Sequence, residues 1–205
     1  MHLPSSFASA DDTMAADHLR TYYGLAGTPP FDGATFDTWD PSGNRAEDTD
    51  RFTSDDFTAL PFLSIDPEAR TLKSLLGADA DRASALLADL PRDLAFYDAD
   101  IDWLYNGAPT ELWKLVRRSA GPTTVSKLMA RKRPLLFPIR DSLVDRALGT
   151  TAEAEWWRPL HALWNGNSGA LQTRINAVRS TAGVDADLPS LRVFDVIAWM
   201  DGKYS

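Results

Sequence analysis

Helix punctuation is the feature of this chain that most restricts its fold. From Thr53 onward, residues that open helices and residues that close them alternate at short intervals. Thr53 or Ser54 starts one segment, with Asp55 and Asp56 in a first turn that favours carboxylates. Asp66-Pro67-Glu68 starts the next, and Gly77 stops it. Ala80–Leu90 follows, then a shorter helix within Asp93–Tyr105. Pro109-Thr110-Glu111 opens a helix carrying Leu112, Leu115 and Val116. Thr123 or Thr124 starts another, with Val125, Leu128 and Met129 inward. Asp141 or Ser142 caps a helix that runs to Leu148 and stops at Gly149. Ala152–Trp164 is tryptophan-rich, and Ser168–Thr181 repeats apolar residues at Leu171, Ile175 and Val178. Leu188–Met200 is apolar on more than one face, which predicts a buried terminal helix. The fold expected is all-α.

The first quarter reads differently. Residues 1–10 read as a loose tail and Asp12–Tyr23 as a short helix. Residues 24–53 are rich in Gly, Pro, Asp and Thr and form an irregular segment. Within it, Asp32-Gly33 between aromatic residues predicts a short strand or hairpin, and Asp40–Asp50 a polar loop. A length of 205 residues suits one domain or two helical lobes. The expected division is 1–53, 54–149 and 150–205, with the last part packing on the first.

Charge singles out the middle of the chain. Between Glu111 and Arg146 nine Lys or Arg face three acids, a net +6 in a protein of net −8. A basic island in an acidic chain is a candidate site for an anionic partner. The absence of cysteine excludes disulfides, thiolate metal sites and cysteine nucleophiles. His2, His18 and His161 have no ligand spacing, so no metal site and no cofactor is expected. No segment resembles a signal peptide or a membrane span, which predicts a cytoplasmic protein with no membrane partner.

Ser119–Arg146 reads SAGPTTVSKLMARKRPLLFPIRDSLVDR. Two helices joined by a tight glycine turn leave N–H groups facing out, and such a hairpin grips one phosphate without reading sequence. The segment resembles the helix-hairpin-helix motif of base-excision DNA glycosylases of the endonuclease III type. That family's pattern is roughly L-P-G-V-G-x-K-T-A, followed by an apolar helix and P-x-x-x-V-D-T-H-V-x-R-V. Ser119, Ala120 and Gly121 fall on G-V-G, Thr124 on the motif threonine and Val125 on the alanine. Asp141 then falls, without a gap, on the catalytic aspartate, with Val144 and Arg146 beyond. The lysine of the lyase step is replaced by Thr123, Pro122 removes one hairpin N–H, and the histidine after the aspartate is missing.

The resemblance implies two helical lobes around a cleft, with the hairpin over about residues 110–131, and a monofunctional hydrolase acting on the N-glycosidic bond of DNA. Asp141 would activate water. Gly121, Thr123 and Thr124 would hold a phosphate, helped by Lys127, Arg131, Lys132, Arg133 and Arg140. For a flipped base, Trp103, Tyr105 or Trp113 are stacking candidates taken from composition rather than from the motif. The chain is also similar to an uncharacterised bacterial family with A-R-K-R-P near its centre, here Ala130–Pro134. The alternative is a non-catalytic module on the same fold that binds nucleic acid or a protein. On that reading Asp141 is simply a helix N-cap. Independently of either reading, Asp195 within its apolar helix is expected to pair with a core arginine such as Arg192 or to line the cleft.

Overall fold

The computed structural model describes residues 1–8, 10–39, 47–151 and 155–205. Among these there is no β-strand, and the chain is all-α. The α-helices in chain order are α1 (Thr13–Tyr22), α2 (Asp32–Thr38), α3 (Ser54–Thr58), α4 (Ala69–Lys73), α5 (Ala80–Ala88) and α6 (Ile101–Asn106). They continue as α7 (Ala108–Arg117), α8 (Pro122–Lys132), α9 (Ser142–Leu148), α10 (Trp157–Asn165), α11 (Ala170–Ala182) and α12 (Ser190–Tyr204). The chain divides into two compact units, one of Met1–Phe31 with Arg140–Ser205, the other of Asp32–Ile139. Residues 32–53 therefore belong with the central unit, and residues 140–149 with the terminal one.

In the terminal unit α12 is the axis. Leu191 through Ala198 are all buried, as the unbroken apolar run predicts. Around it sit Ala15, Ala16 and Leu19 of α1, Val144 and Leu148 of α9, and Leu171, Ile175 and Val178 of α11. Fully burying each large aliphatic side chain contributes about 1.5–3 kcal/mol. Asp195 pairs with Arg192 inside this core rather than lining a cleft, and Arg192 also donates to the Tyr22 hydroxyl at 2.8 Å. One sequence signal is overturned here. The N-terminal tail is tied down: Phe7 is buried, the His2 amide donates to the Leu148 carbonyl, and the Ser6 amide and hydroxyl donate to Asp201. Residues 152–154 of the tryptophan-rich segment lie outside the described residues.

The central unit holds α2 to α8. The strand or hairpin expected around Asp32-Gly33 is instead helix α2. Asp32 sits in its first turn, where a carboxylate is favourable, and Phe36 is directed inward. Part of the expected 40–50 loop, residues 40–46, lies outside the described residues. α3 opens on a reciprocal capping box between Thr53 and Asp56, and Pro61 tightens the next turn to 3₁₀ over Leu60–Leu63. Asp100 caps α6 through the Trp103 amide at 2.8 Å.

Candidate functional site

The hairpin between α7 and α8 has the polarity that an anion would require. Its carbonyls are occupied. Thr71 Oγ1 donates to the Ser119 carbonyl at 2.6 Å, Arg117 to that of Ala120 at 2.5 Å, and the Val125 amide to that of Gly121 at 3.0 Å. Its amides are not. Among the described residues the N–H groups of Gly121, Thr123 and Thr124 have no acceptor. No side chain caps α8, and a methyl group on Gly121 would meet nothing within 4 Å. The turn therefore carries uncompensated positive charge into open space.

The basic run behind it is arranged otherwise than its charge pattern implies. Lys127, Arg131, Lys132 and Arg133 are buried, at 3%, 7%, 1% and 1% exposure. Each serves the chain's own backbone. Lys127 Nζ donates to the Leu63 carbonyl at 2.9 Å. Arg131 donates to the Phe36 carbonyl at 3.0 Å and to that of Trp39, and its guanidinium lies over the Phe36 ring. These carbonyls end α2, so Arg131 supplies donors that a helix C-terminus lacks. Arg133 does the same for α5, donating to the Leu87 carbonyl at 2.5 Å and the Leu90 carbonyl at 3.0 Å. It also reaches the Thr49 carbonyl at 2.9 Å and Asp50 at 2.5 Å. Lys132 Nζ lies 2.8 Å from the Asp48 carbonyl and 3.1 Å from Asp56 Oδ2. Burial pushes the Lys132 ammonium and the Arg133 guanidinium below their ordinary ranges, against the opposing pull of Asp56 and Asp50.

The phosphate role expected of these four residues is accordingly corrected. They form an internal clamp that joins α2, α5, the 48–56 segment and the Leu60–Leu63 turn to α8. In this chain the Ala130–Pro134 run serves the interior. Consecutive Arg-Lys-Arg on a surface helix would leave at least one head in water. Here the last turn of α8 enters the interior, so three successive directions are all filled by protein.

The basic groups that stay outside belong to other helices. Lys114, Arg117 and Arg118 lie exposed at the end of α7, just before the hairpin, and Arg82 is exposed on α5. The hydrogen bond and charge of Lys114, with the fields of Arg82 and Arg118, hold the nearby Glu111 carboxyl below the usual range. Composition alone could not separate these from the internal set, because both lie in one charged stretch. Trp103, Tyr105 and Trp113 are half-buried on α6 and α7.

Asp141 and Arg140 belong to the terminal unit. Asp141 is the N-cap of α9, and its Oδ1 accepts the Leu143 and Val144 amides at 3.1 Å each. Arg140 is held by Asp145 at 2.9 Å and by the Thr151 carbonyl, with its guanidinium over the Trp156 ring. The three histidines stay apart. His2 lies against Gly149, His161 beside Asn165, and His18 Nε2 3.0 Å from Asp201. Among the described residues no group of His, Asp or Glu could hold a metal ion, and no helix is long and apolar enough to cross a membrane.

The model of one family of unknown function, DUF6308, matches residues 15–202. The chain belongs to that family. The match spans both compact units and includes the hairpin, the internal clamp and Asp141, so these features fall within the family domain. No curated protein and no solved structure matches the chain.

Proposed function

We propose that this protein is a non-catalytic nucleic-acid-binding module that grips a backbone phosphate at the α7–α8 hairpin. The observation that carries this reading is the polarity of the turn: carbonyls satisfied from within, amides of Gly121, Thr123 and Thr124 left outward. The charge supporting it is Lys114, Arg117 and Arg118, with Arg82, in place of the buried Lys127, Arg131, Lys132 and Arg133. A hairpin of this kind contributes position rather than sequence readout. The hydrolytic version gives Asp141 a second task. Its carboxylate already accepts two amides of its own helix, which is the ordinary work of an N-cap aspartate. Binding without chemistry is therefore the reading adopted.

The test is fluorescence anisotropy with a labelled DNA duplex over a salt series. Affinity should fall with a log–log slope of about −0.9 for each phosphate neutralised. Arg117→Glu with Arg118→Glu should weaken binding and flatten that slope. No base should be released from uracil-, adduct- or mismatch-containing duplexes by the wild type. Salt-independent binding, or full affinity in the double variant, would remove the hairpin from the model; base release lost in Asp141→Asn would restore the enzyme.

A further inference from the structure

The terminal unit contains a second feature that its own chain occupies. After α1 the backbone turns through Gly24 and Gly27, at φ 73° and 78°, and the Phe31 amide returns to the Tyr22 carbonyl at 3.0 Å. This lays Phe31 face to face with Tyr22, ring centres 5.6 Å apart and planes 16° from parallel. Trp199 of α12 meets both rings edge-on, 5.8 Å from Tyr22 and 5.4 Å from Phe31. The three rings form a corner whose inner side is closed by Arg192, 5.3 Å over Tyr22 and neutralised by Asp195.

The outer side holds another cation. Lys203 lies one helical turn after Trp199, so its stem runs along the helix and over that ring. Its Nζ is 5.1 Å from the Trp199 ring centre and 5.6 Å from that of Phe31. Among the described residues the ammonium has no carboxylate or carbonyl partner, and the side chain is exposed. An ammonium held by two ring faces alone marks a site whose field selects cations. A primary ammonium is also a poor occupant, since it remains strongly hydrated and forms no hydrogen bond with either ring.

We propose that the Phe31–Trp199 corner is a binding site for a trimethylammonium group of the choline type, which displaces Lys203. Methyl groups on nitrogen present apolar surface to the ring faces while keeping the charge, and they forgo the hydration that the lysine retains. Lys203 then acts as an internal competitor on the last turn of the last helix.

The probe is choline chloride added to the full chain, followed by ligand-observed NMR of the N-methyl protons. Saturable binding with a ring-current shift upfield is expected. Lys203→Met should tighten it by about two- to fivefold, and Phe31→Leu should weaken it by a similar factor, the equivalent of one exposed cation–π contact. The neutral isostere 3,3-dimethylbutan-1-ol should neither bind nor compete. Phosphatidylcholine vesicles form a second arm. Sedimentation with vesicles that choline reverses assigns the group to a lipid headgroup; choline binding without sedimentation assigns it to a free solute. Absence of saturable choline binding in both the wild type and Lys203→Met, with helicity intact by circular dichroism, overturns the proposal. So does equal affinity for the neutral isostere.

Discussion

Replacing Lys132 by methionine separates the internal clamp from a surface patch. Methionine fills most of the space of the lysine stem but carries no charge and no donor. Two groups lose one of their donors. The Asp56 carboxylate, fully buried, loses an ammonium at 3.1 Å, and the Asp48 carbonyl loses a donor at 2.8 Å. Breaking one side of a buried ion pair costs about 3–5 kcal/mol. Here the Thr53 amide still donates to Asp56 at 2.8 Å and Arg131 Nε stays 3.4 Å away, which places the expected loss near the lower bound, about 3 kcal/mol. With a urea m-value of about 2 kcal/mol/M, the unfolding midpoint should drop by about 1.5 M. The measurement is urea denaturation followed by far-UV circular dichroism. Adding Asp56→Asn removes the stranded charge, so the double variant should lose at least about 1 kcal/mol less than the sum of the single losses. A phosphate-facing surface lysine would behave differently, with stability changed by no more than about 0.5 kcal/mol. A loss below about 1 kcal/mol, or strict additivity with Asp56→Asn, refutes the clamp.

Three further outcomes follow from the terminal unit. Gly202→Ala should destabilise by about 1–3 kcal/mol in the same assay, because a methyl there would overlap the Leu143 carbonyl where α12 crosses α9; unchanged stability would mean that the helices are not so close. Asp141→Ala should cost about 1 kcal/mol, whereas Asp141→Asn should be nearly neutral, asparagine being an equally good N-cap. A large loss in Asp141→Asn would assign the charge a role beyond capping. For Asp201, burial would raise the carboxyl, but hydrogen bonds from His18 and Ser6 outweigh it and hold it below the usual carboxylate range. A depressed carboxylate contributes stability above its unfolded value of about 3.9, and that contribution is lost as pH falls through the lower folded value. Asp201→Asn should therefore be less stable at neutral pH and show a weaker fall below about pH 4; an acid limb identical to wild type would remove Asp201 from acid unfolding.

The sequence was legible where one local signal decides an element. Asp141 and Gly149 bracket α9 as their residue types require, Gly149 adopting φ 63° at the C-cap. The α11 stripe and the apolar α12 announce their burial directly. It was illegible where tertiary partners decide. Nothing near Asp32-Gly33 shows that Arg131, a hundred residues later, will complete the end of a helix there. Nor does the Arg-Lys-Arg triplet reveal that its partners are backbone carbonyls, since carbonyls leave no mark in a sequence. The aspartate–serine–histidine group of Asp201, Ser6 and His18 was missed for the same reason, its members being separated by almost the whole chain. The outward amides of the hairpin were readable because glycine and proline signal that turn locally.

One consequence concerns synthesis. The terminal unit is assembled from Met1–Phe31 and Arg140–Ser205, and its axis, α12, is made after the whole of the central unit. A nascent chain leaving the ribosome thus has the stretch from Asp32 to Ile139 complete, with all four internal cations and their carbonyl partners, before α12 exists. Ser6 cannot meet Asp201 until the chain through Asp201 has been made and has left the ribosome.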